Sequence, residues 1–404
     1  MIFDHIERRD FLKIVLASSL AGIVDFAFAQ DAKKSSGILA APQMAHPFIV
    51  VFLRGGADGL SILSPLNDEN FLAARPPEMR FSIESSSGKV ELSNTTLYWH
   101  PEAGPLANLF STRKLIVWPA VGILDETRSH FEAQEIMERG LSSLNTMPDD
   151  LGWMARQVIS KEKFQANSVP LFAGNNNSPR SMQGAHRAIA VRDLQNGIAL
   201  PNGVGGFNAI NSLSDADVNS IATPWMKDHL RNLDFINQTL SRGLAKPAPY
   251  EGAGKTPYPN TDPGVGLRSV ARLIEANVGL QYAWVDQSGW DTHENQPGRL
   301  NTQIKNLSTS LAAFSEDMDA KRQPYTLVVM TEFGRRLRSN RSNGTDHGHG
   351  SLGLVLGSSV PGGQALGQWP GLSTGALDRG VDLAVTTDYQ KLLRQAFDYQ
   401  KGLA

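Results

Sequence analysis

The chain has 404 residues, with 38 basic against 40 acidic side chains, a formal net charge of −2 and no cysteine. So even a balance argues against a nucleic-acid partner, which would show a basic surplus. The lack of cysteine removes disulfides, thiolate ligands and cysteine nucleophiles together, so any metal ligand must be His, Asp, Glu or a hydroxyl.

In chain order, the N-terminus reads Glu7-Arg8-Arg9-Asp10-Phe11-Leu12-Lys13, then a mostly apolar run from Ile14 to Phe28 that closes on Ala27-Phe28-Ala29. Paired arginines ahead of a short hydrophobic run and an A-x-A site form the pattern of a twin-arginine export signal. The run is too short for a membrane span, and Asp25 interrupts it. Residues 1–29 are therefore expected to be removed on export to the periplasm or beyond, with no membrane span remaining. Residues 30–45, rich in Ala, Ser and Lys, read as a flexible leader. The signal holds three basic and four acidic side chains, so its loss moves the net charge from −2 to −1. The rest is long enough for one large core, and a single domain over 46–404 is expected.

Apolar, unalternating runs predict strands buried on both faces at 47–53, 114–118, 280–285, 325–330 and 352–356, with a weaker one at 169–173. Helical periodicity fills the intervals at 131–139, 151–159, 265–278, 296–318 and 389–397. Thr387 with Gln390, and Ser129 with Glu132, read as capping boxes. Alternating strands and helices predict an α/β fold, a largely parallel sheet with helices on both faces. Residues 200–262 break the rhythm with Gly- and Pro-rich turns around a helix at 224–240, and read as an insertion on one edge of the sheet.

Polar residues cluster just beyond the strands, where open parallel sheets bind ligands. Asp58, in Gly55-Gly56-Ala57-Asp58-Gly59, follows the first strand, and its glycines permit close approach of a ligand or simply a tight turn. Ser129 and Arg128 lie beyond the second strand. A hydroxyl at a helix N-terminus suits attack on an anionic ester, and the arginine fork suits holding the anion, although Ser129 is equally a plain N-cap. His130 could assist Ser129. Asp291 and His293 follow the strand of the 280s and can chelate from a loop. Glu332 stands at the end of the next strand, as a ligand or as an ion-pair partner of Arg335 or Arg336. The segment Thr345-Asp346-His347-Gly348-His349-Gly350 offers two imidazoles and a carboxylate, and Asp346 could ligate or could orient a histidine. Such a set predicts a divalent metal: Zn, Mn, Ca or Mg.

Phe52 to Leu60, Arg128 to Gln134, Gly289 to His293, Thr331 to Arg335 and Asn343 to Gly348, taken together, resemble a bacterial family of unknown function, domain family 1501. That family is similar to the alkaline phosphatase and sulfatase superfamily. The resemblance implies one or two divalent metals at the carboxyl edge of the sheet. It implies Asp58 as first-strand ligand, Ser129 as nucleophile, Asp291 and His293 as the mid-chain pair, and His347 or His349 as the late ligand. Phe333 stands where that superfamily carries a histidine after Glu332, which leaves one ligand to Asp346 or the second late histidine. The resulting expectation is an exported metal-dependent hydrolase of small phosphate or sulfate esters, or of sulfated or phosphorylated glycans. The alternative is a non-enzymatic metal-binding or scaffold protein acting with a partner from another exported family.

Overall fold

The computed structural model describes residues 46–146, 150–159, 168–185, 187–195, 197–198, 223–241 and 248–403. The expected signal and leader, and much of the expected insertion, lie outside the described residues. The strands in chain order are β1 (Phe48–Leu53), β2 (Leu63–Ser64), β3 (Lys89–Glu91), β4 (Thr96–Trp99), β5 (Leu115–Gly122), β6 (Leu171–Ala173), β7 (Ala188–Ala190), β8 (Tyr282–Gln287), β9 (Thr326–Met330), β10 (Ser351–Gly357), β11 (Gln364–Ala365) and β12 (Thr387–Asp388). The helices are α1 (Gly59–Ile62), α2 (Glu69–Ala74), α3 (Gly104–Ser111), α4 (His130–Arg139), α5 (Trp153–Ile159), α6 (Thr223–Ser241), α7 (Gly264–Glu275), α8 (Gln296–Ala320) and α9 (Tyr389–Lys401).

One sheet dominates, with the order β11-β5-β10-β9-β1-β8-β6-β7 and β12 also on β5. It is parallel throughout except for β10, which runs antiparallel to both β5 and β9. All six residues of β1 are buried, as a central strand covered on both faces requires. Alternate side chains serve two cores. Ile49, Val51 and Leu53 pack with Leu106, Leu267, Leu307 and Leu311 from α3, α7 and α8. Phe48, Val50 and Phe52 pack with Ile136, Met154 and Leu392 from α4, α5 and α9. The α/β class, with a largely parallel sheet and helices on both faces, is as expected. Helix α6 spans the predicted 224–240 and sends Leu233, Ile236 and Leu240 into the first core. Among the described residues no helix is long and apolar enough to cross a membrane.

Both expected capping boxes differ in detail. Thr387 is held in β12 by pairing with Val121, so Asp388 takes the cap of α9 and accepts from the Gln390 amide at 3.0 Å. Ser129 is the N-cap of α4, yet its side chain makes no cap bond. Glu132 instead accepts from the Thr127 hydroxyl at 2.5 Å.

Candidate metal centre

The antiparallel course of β10 brings the late histidines to the site. Because β10 runs against β9, the loop that enters it leaves from the carboxyl edge of the parallel strands. That edge also carries the loops after β1, β5, β8 and β9, so residues 54–58, 123–130, 288–295, 331–336 and 345–350 gather there. Close approach needs glycine at two points. Gly55 has φ +117°, and a Cβ there would stand 2.4 Å from the Asp291 nitrogen. Gly56, at φ +71°, lies against the Phe333 ring, which a Cβ would meet at 2.6 Å. An L side chain at either position would be strained by its backbone and blocked by its neighbour.

Three imidazoles and one carboxylate converge at this edge. His130 Nδ1 lies 2.9 Å from Glu332 Oε1, His347 Nδ1 lies 2.9 Å from the Arg128 carbonyl, and His293 Nδ1 lies 3.3 Å from Asp346 Oδ1. Carbonyl and ionised carboxylate oxygens only accept, so each Nδ1 is a protonated nitrogen, and in the neutral ring each Nε2 carries a bare lone pair. The Nε2 atoms point inward. His293 Nε2 is 2.9 Å from His347 Nε2 and 3.1 Å from Asp291 Oδ1, while His130 Nε2 is 3.6 Å from Asp291 Oδ2. His130 Nε2 is buried with no hydrogen-bond partner. Donor atoms of His130, Asp291 and His347 lie within 4.8 Å of one another. Bare lone pairs face to face repel one another unless a cation sits between them. The arrangement therefore fits a divalent ion, with each ring oriented from behind by an acceptor, as metal-bound histidines usually are.

The surroundings fix the set. Arg335 is fully buried and donates to the Gly56 and Thr345 carbonyls at 2.7 and 2.9 Å, to the Gly55 carbonyl, and to Asp291 Oδ1 at 2.5 Å. Partial burial works against ionisation of Asp291, but the Arg335 hydrogen bond and charge hold its carboxyl below the usual range. Glu332 is buried too, which raises a carboxyl pKa. Donation from His130, Gln134 and the Gly55 amide outweighs that and keeps it ionised. Burial pushes the His347 pKa down, favouring the neutral ring that a metal needs. Phe333 packs against both His130 and His347, at centroid distances of 4.8 and 4.9 Å.

Residues 254–403 match the family described as protein of unknown function, DUF1501. The matched DUF1501 stretch contains Asp291, His293, Glu332, Asp346 and His347, but not His130. Solved structures similar to the chain include the following two. One is a mutant of TAB5 alkaline phosphatase with Mg bound, at 8% identity, covering 89% of this chain and 99% of that one, with a TM-score of 0.38. The other is the C-terminal periplasmic domain of EcEptC from Escherichia coli in complex with Zn, at 10% identity, covering 79% and 77%, with a TM-score of 0.34. No curated protein matches.

The remaining candidates are placed around this centre rather than in it. Within the DUF1501 stretch, His349 has both nitrogens engaged, 2.9 Å from Asp378 Oδ2 and 2.9 Å from the Ile123 carbonyl. Asp346 stands behind His293 and accepts from Asn340 at 3.2 Å. Outside it, Asp58 is fully buried and paired with the equally buried Arg75 at 2.6 Å. Asp58 Oδ2 also accepts from Ser61 and Gln296, while Oδ1 has no partner among the described residues. Burial disfavours the Asp58 carboxylate, but Arg75 holds its pKa below the usual range. Arg128 spends its donors on Asp378, Asp382 and the Glu126 carbonyl. Ser129 sits half-buried between Arg128, whose carbonyl orients His347, and His130. Arg335, expected as a possible partner of Glu332, pairs with Asp291 instead, Phe333 is the surface on which two of the imidazoles rest, and His130, expected only to assist Ser129, faces the centre. The position of His130 directly after Ser129, at the carboxyl edge beyond β5, was the available signal.

Proposed function

We propose that this chain is an exported, metal-dependent hydrolase of phosphate or sulfate esters. The observation that carries the reading is the convergence of three Nε2 lone pairs and one carboxylate, each ring backed at Nδ1. His130, His347 and Asp291 would hold the ion, with His293 as the fourth donor. The imidazole-rich set suits Zn²⁺ or Mn²⁺ better than Ca²⁺ or Mg²⁺, which prefer oxygen. One donor in four is anionic, and Arg335 already neutralises it, so the centre keeps a positive surplus that favours an anionic substrate. A bound divalent ion would polarise the ester and make the Ser129 hydroxyl a better nucleophile. The Ser129 hydroxyl makes no cap bond and sits at the N-terminus of α4, where negative charge is stabilised. Arg128 serves by holding the loop that orients His347. Export rests on the twin-arginine pattern of residues 1–29.

The test is metal analysis of the purified protein together with a panel of aryl phosphates and sulfates. One equivalent of Zn or Mn, turnover lost in Asp291→Ala and reduced at least about a hundredfold in Ser129→Ala would support the reading. Metal bound in stoichiometric amount without turnover of any ester would favour the scaffold alternative instead.

A further inference from the structure

A second site lies apart from the metal centre, against the first turns of α8. A cavity of ≈ 220 Å³ opens there, lined by the segments 78–81 and 100–102 and by Gln296, Pro297, Leu300 and Asn301. Ser61 and Gln296 close its inner wall, and both bond to Asp58, so one layer of buried side chains separates it from the metal edge. Ser61, Ser64 and Gln296 are bonded within the fold, but the charged groups of the lining are not. The Arg80 Nε is buried without a partner, and among the described residues neither Arg80 nor Glu78 nor Glu102 forms a side-chain ion pair. The walls are rings. Phe81 meets His100 edge-on, with centroids 5.2 Å apart at 74°. Burial pushes the His100 pKa down to about 4, so it is an uncharged wall at neutral pH, with Nδ1 accepting from the Glu102 amide.

We infer that this cavity binds a polyhydroxylated ring, a single sugar unit. A simple anion would satisfy Arg80 but face Glu78 and Glu102, and a simple cation would meet the reverse. An apolar molecule would bury charges of both signs unpaired. A hydroxyl donates and accepts at once, so a ring bearing several can answer a guanidinium and two carboxylates together. The C–H face of the ring packs on Phe81. The volume falls below the ~300–1,000 Å³ of sites for drug-sized ligands, which limits the occupant to about one ring.

Saturation-transfer NMR on the purified full chain, with glucose, galactose, mannose and N-acetylglucosamine as probes and acetate and inorganic phosphate as competitors, tests this. At least one sugar is expected to receive saturation at its ring protons, undisturbed by either anion. Its affinity should fall at least about tenfold in Arg80→Met and in Phe81→Ala. Glu78→Gln, an exposed change that spares the fold, should weaken it as well. Binding should persist in Asp291→Ala, which separates this site from the metal centre. No transfer to any of the four sugars, displacement by phosphate or acetate, or equal binding in all three pocket variants would overturn the inference.

Discussion

Glu332 accepts from His130, Gln134 and the Gly55 amide on one oxygen, and its other oxygen lies 3.0 Å from the Thr331 hydroxyl, which also donates to the Leu53 carbonyl. Glu332→Gln keeps the volume but puts an amide nitrogen among donors. His130 would then lose the charged acceptor that holds its tautomer and raises its basicity toward a metal. Metal affinity is expected to drop about 10–100-fold, read by competitive titration with a chelator. Unchanged affinity would mean that Glu332 does not orient the ring. Phe333 tests the floor of the same site. Replacing it with Ala removes a fully buried ring and the surface on which two imidazoles rest. A loss of about 3–5 kcal/mol in chemical denaturation of the metal-free protein is expected, with weaker metal binding besides. Loss of stability without any change in metal affinity would show the ring to be packing alone. At this scale the sequence spoke unevenly. Asp291, His293 and His347 stand in short motifs beside glycines, and they reached the centre. Asp58 stands in an equally suggestive glycine turn, yet its partner Arg75 lies on the far side of α2, and no local pattern announces that pairing. His130 looked like a helix residue because it is one. Its second task depends on Glu332, some two hundred residues away.

The central strands and the longer helices were readable because they are apolar or periodic over enough residues, whereas the short strands β2, β3, β4, β7, β11 and β12 and the helices α1, α2 and α3 were not. Strand direction was not readable either. An unalternating run such as Leu352 to Leu356 reports that it is buried on both faces, whichever way it runs. The antiparallel course of β10 is set by the glycine-bearing reversal between Gly334 and Gly350, where Gly334 lies against the Gly350 carbonyl too closely for a Cβ. Helix α8 shows a further consequence of element packing. Asp317 on its buried face accepts from the Tyr250 and Tyr258 hydroxyls at 2.7 and 2.8 Å, the Ala253 amide at 2.8 Å and Lys321 at 3.0 Å. Together with Glu316, which accepts from the Thr256 amide and hydroxyl at 2.8 and 2.9 Å, it pins residues 250–258 to the helix, although nothing in their Pro- and Gly-rich sequence suggests order. Asp317→Ala would leave those donors without their acceptor and loosen the segment. A cost of about 3–5 kcal/mol is expected, with new protease cleavage between residues 250 and 258. Cleavage at the wild-type rate would show that the segment is held by other contacts.

For the molecule as a whole, the carboxyl edge of the sheet is a seam where five loops meet, and charged groups hold it closed. Arg335 binds the loops after β1 and β8 and the one entering β10. A cation bound by His130, Asp291, His293 and His347 would tie in the loop after β5 as well, so metal binding should stabilise the entire fold. The pH dependence follows from the directions of the shifts. Asp58, Asp291 and Glu332 have lowered pKa values, so their contribution is full above the unfolded carboxyl values near ~4 and is lost as pH falls through the folded ones. His347 is also lowered. Its contribution is full above the unfolded histidine value near ~6.5 and is lost toward its folded value, so it weakens first on acidification. Metal ligation runs the same way, because protons compete for the Nε2 atoms. Calorimetry of the protein with and without Zn²⁺ should therefore show a gap in Tm that is widest above about pH 7 and closes as the pH falls below about 6. The metal-free Tm should hold until the carboxylates begin to protonate below about pH 5, apart from the smaller histidine loss. A gap that is constant from pH 8 to pH 5 would place the metal on ligands other than imidazole and would remove the basis for the proposed centre.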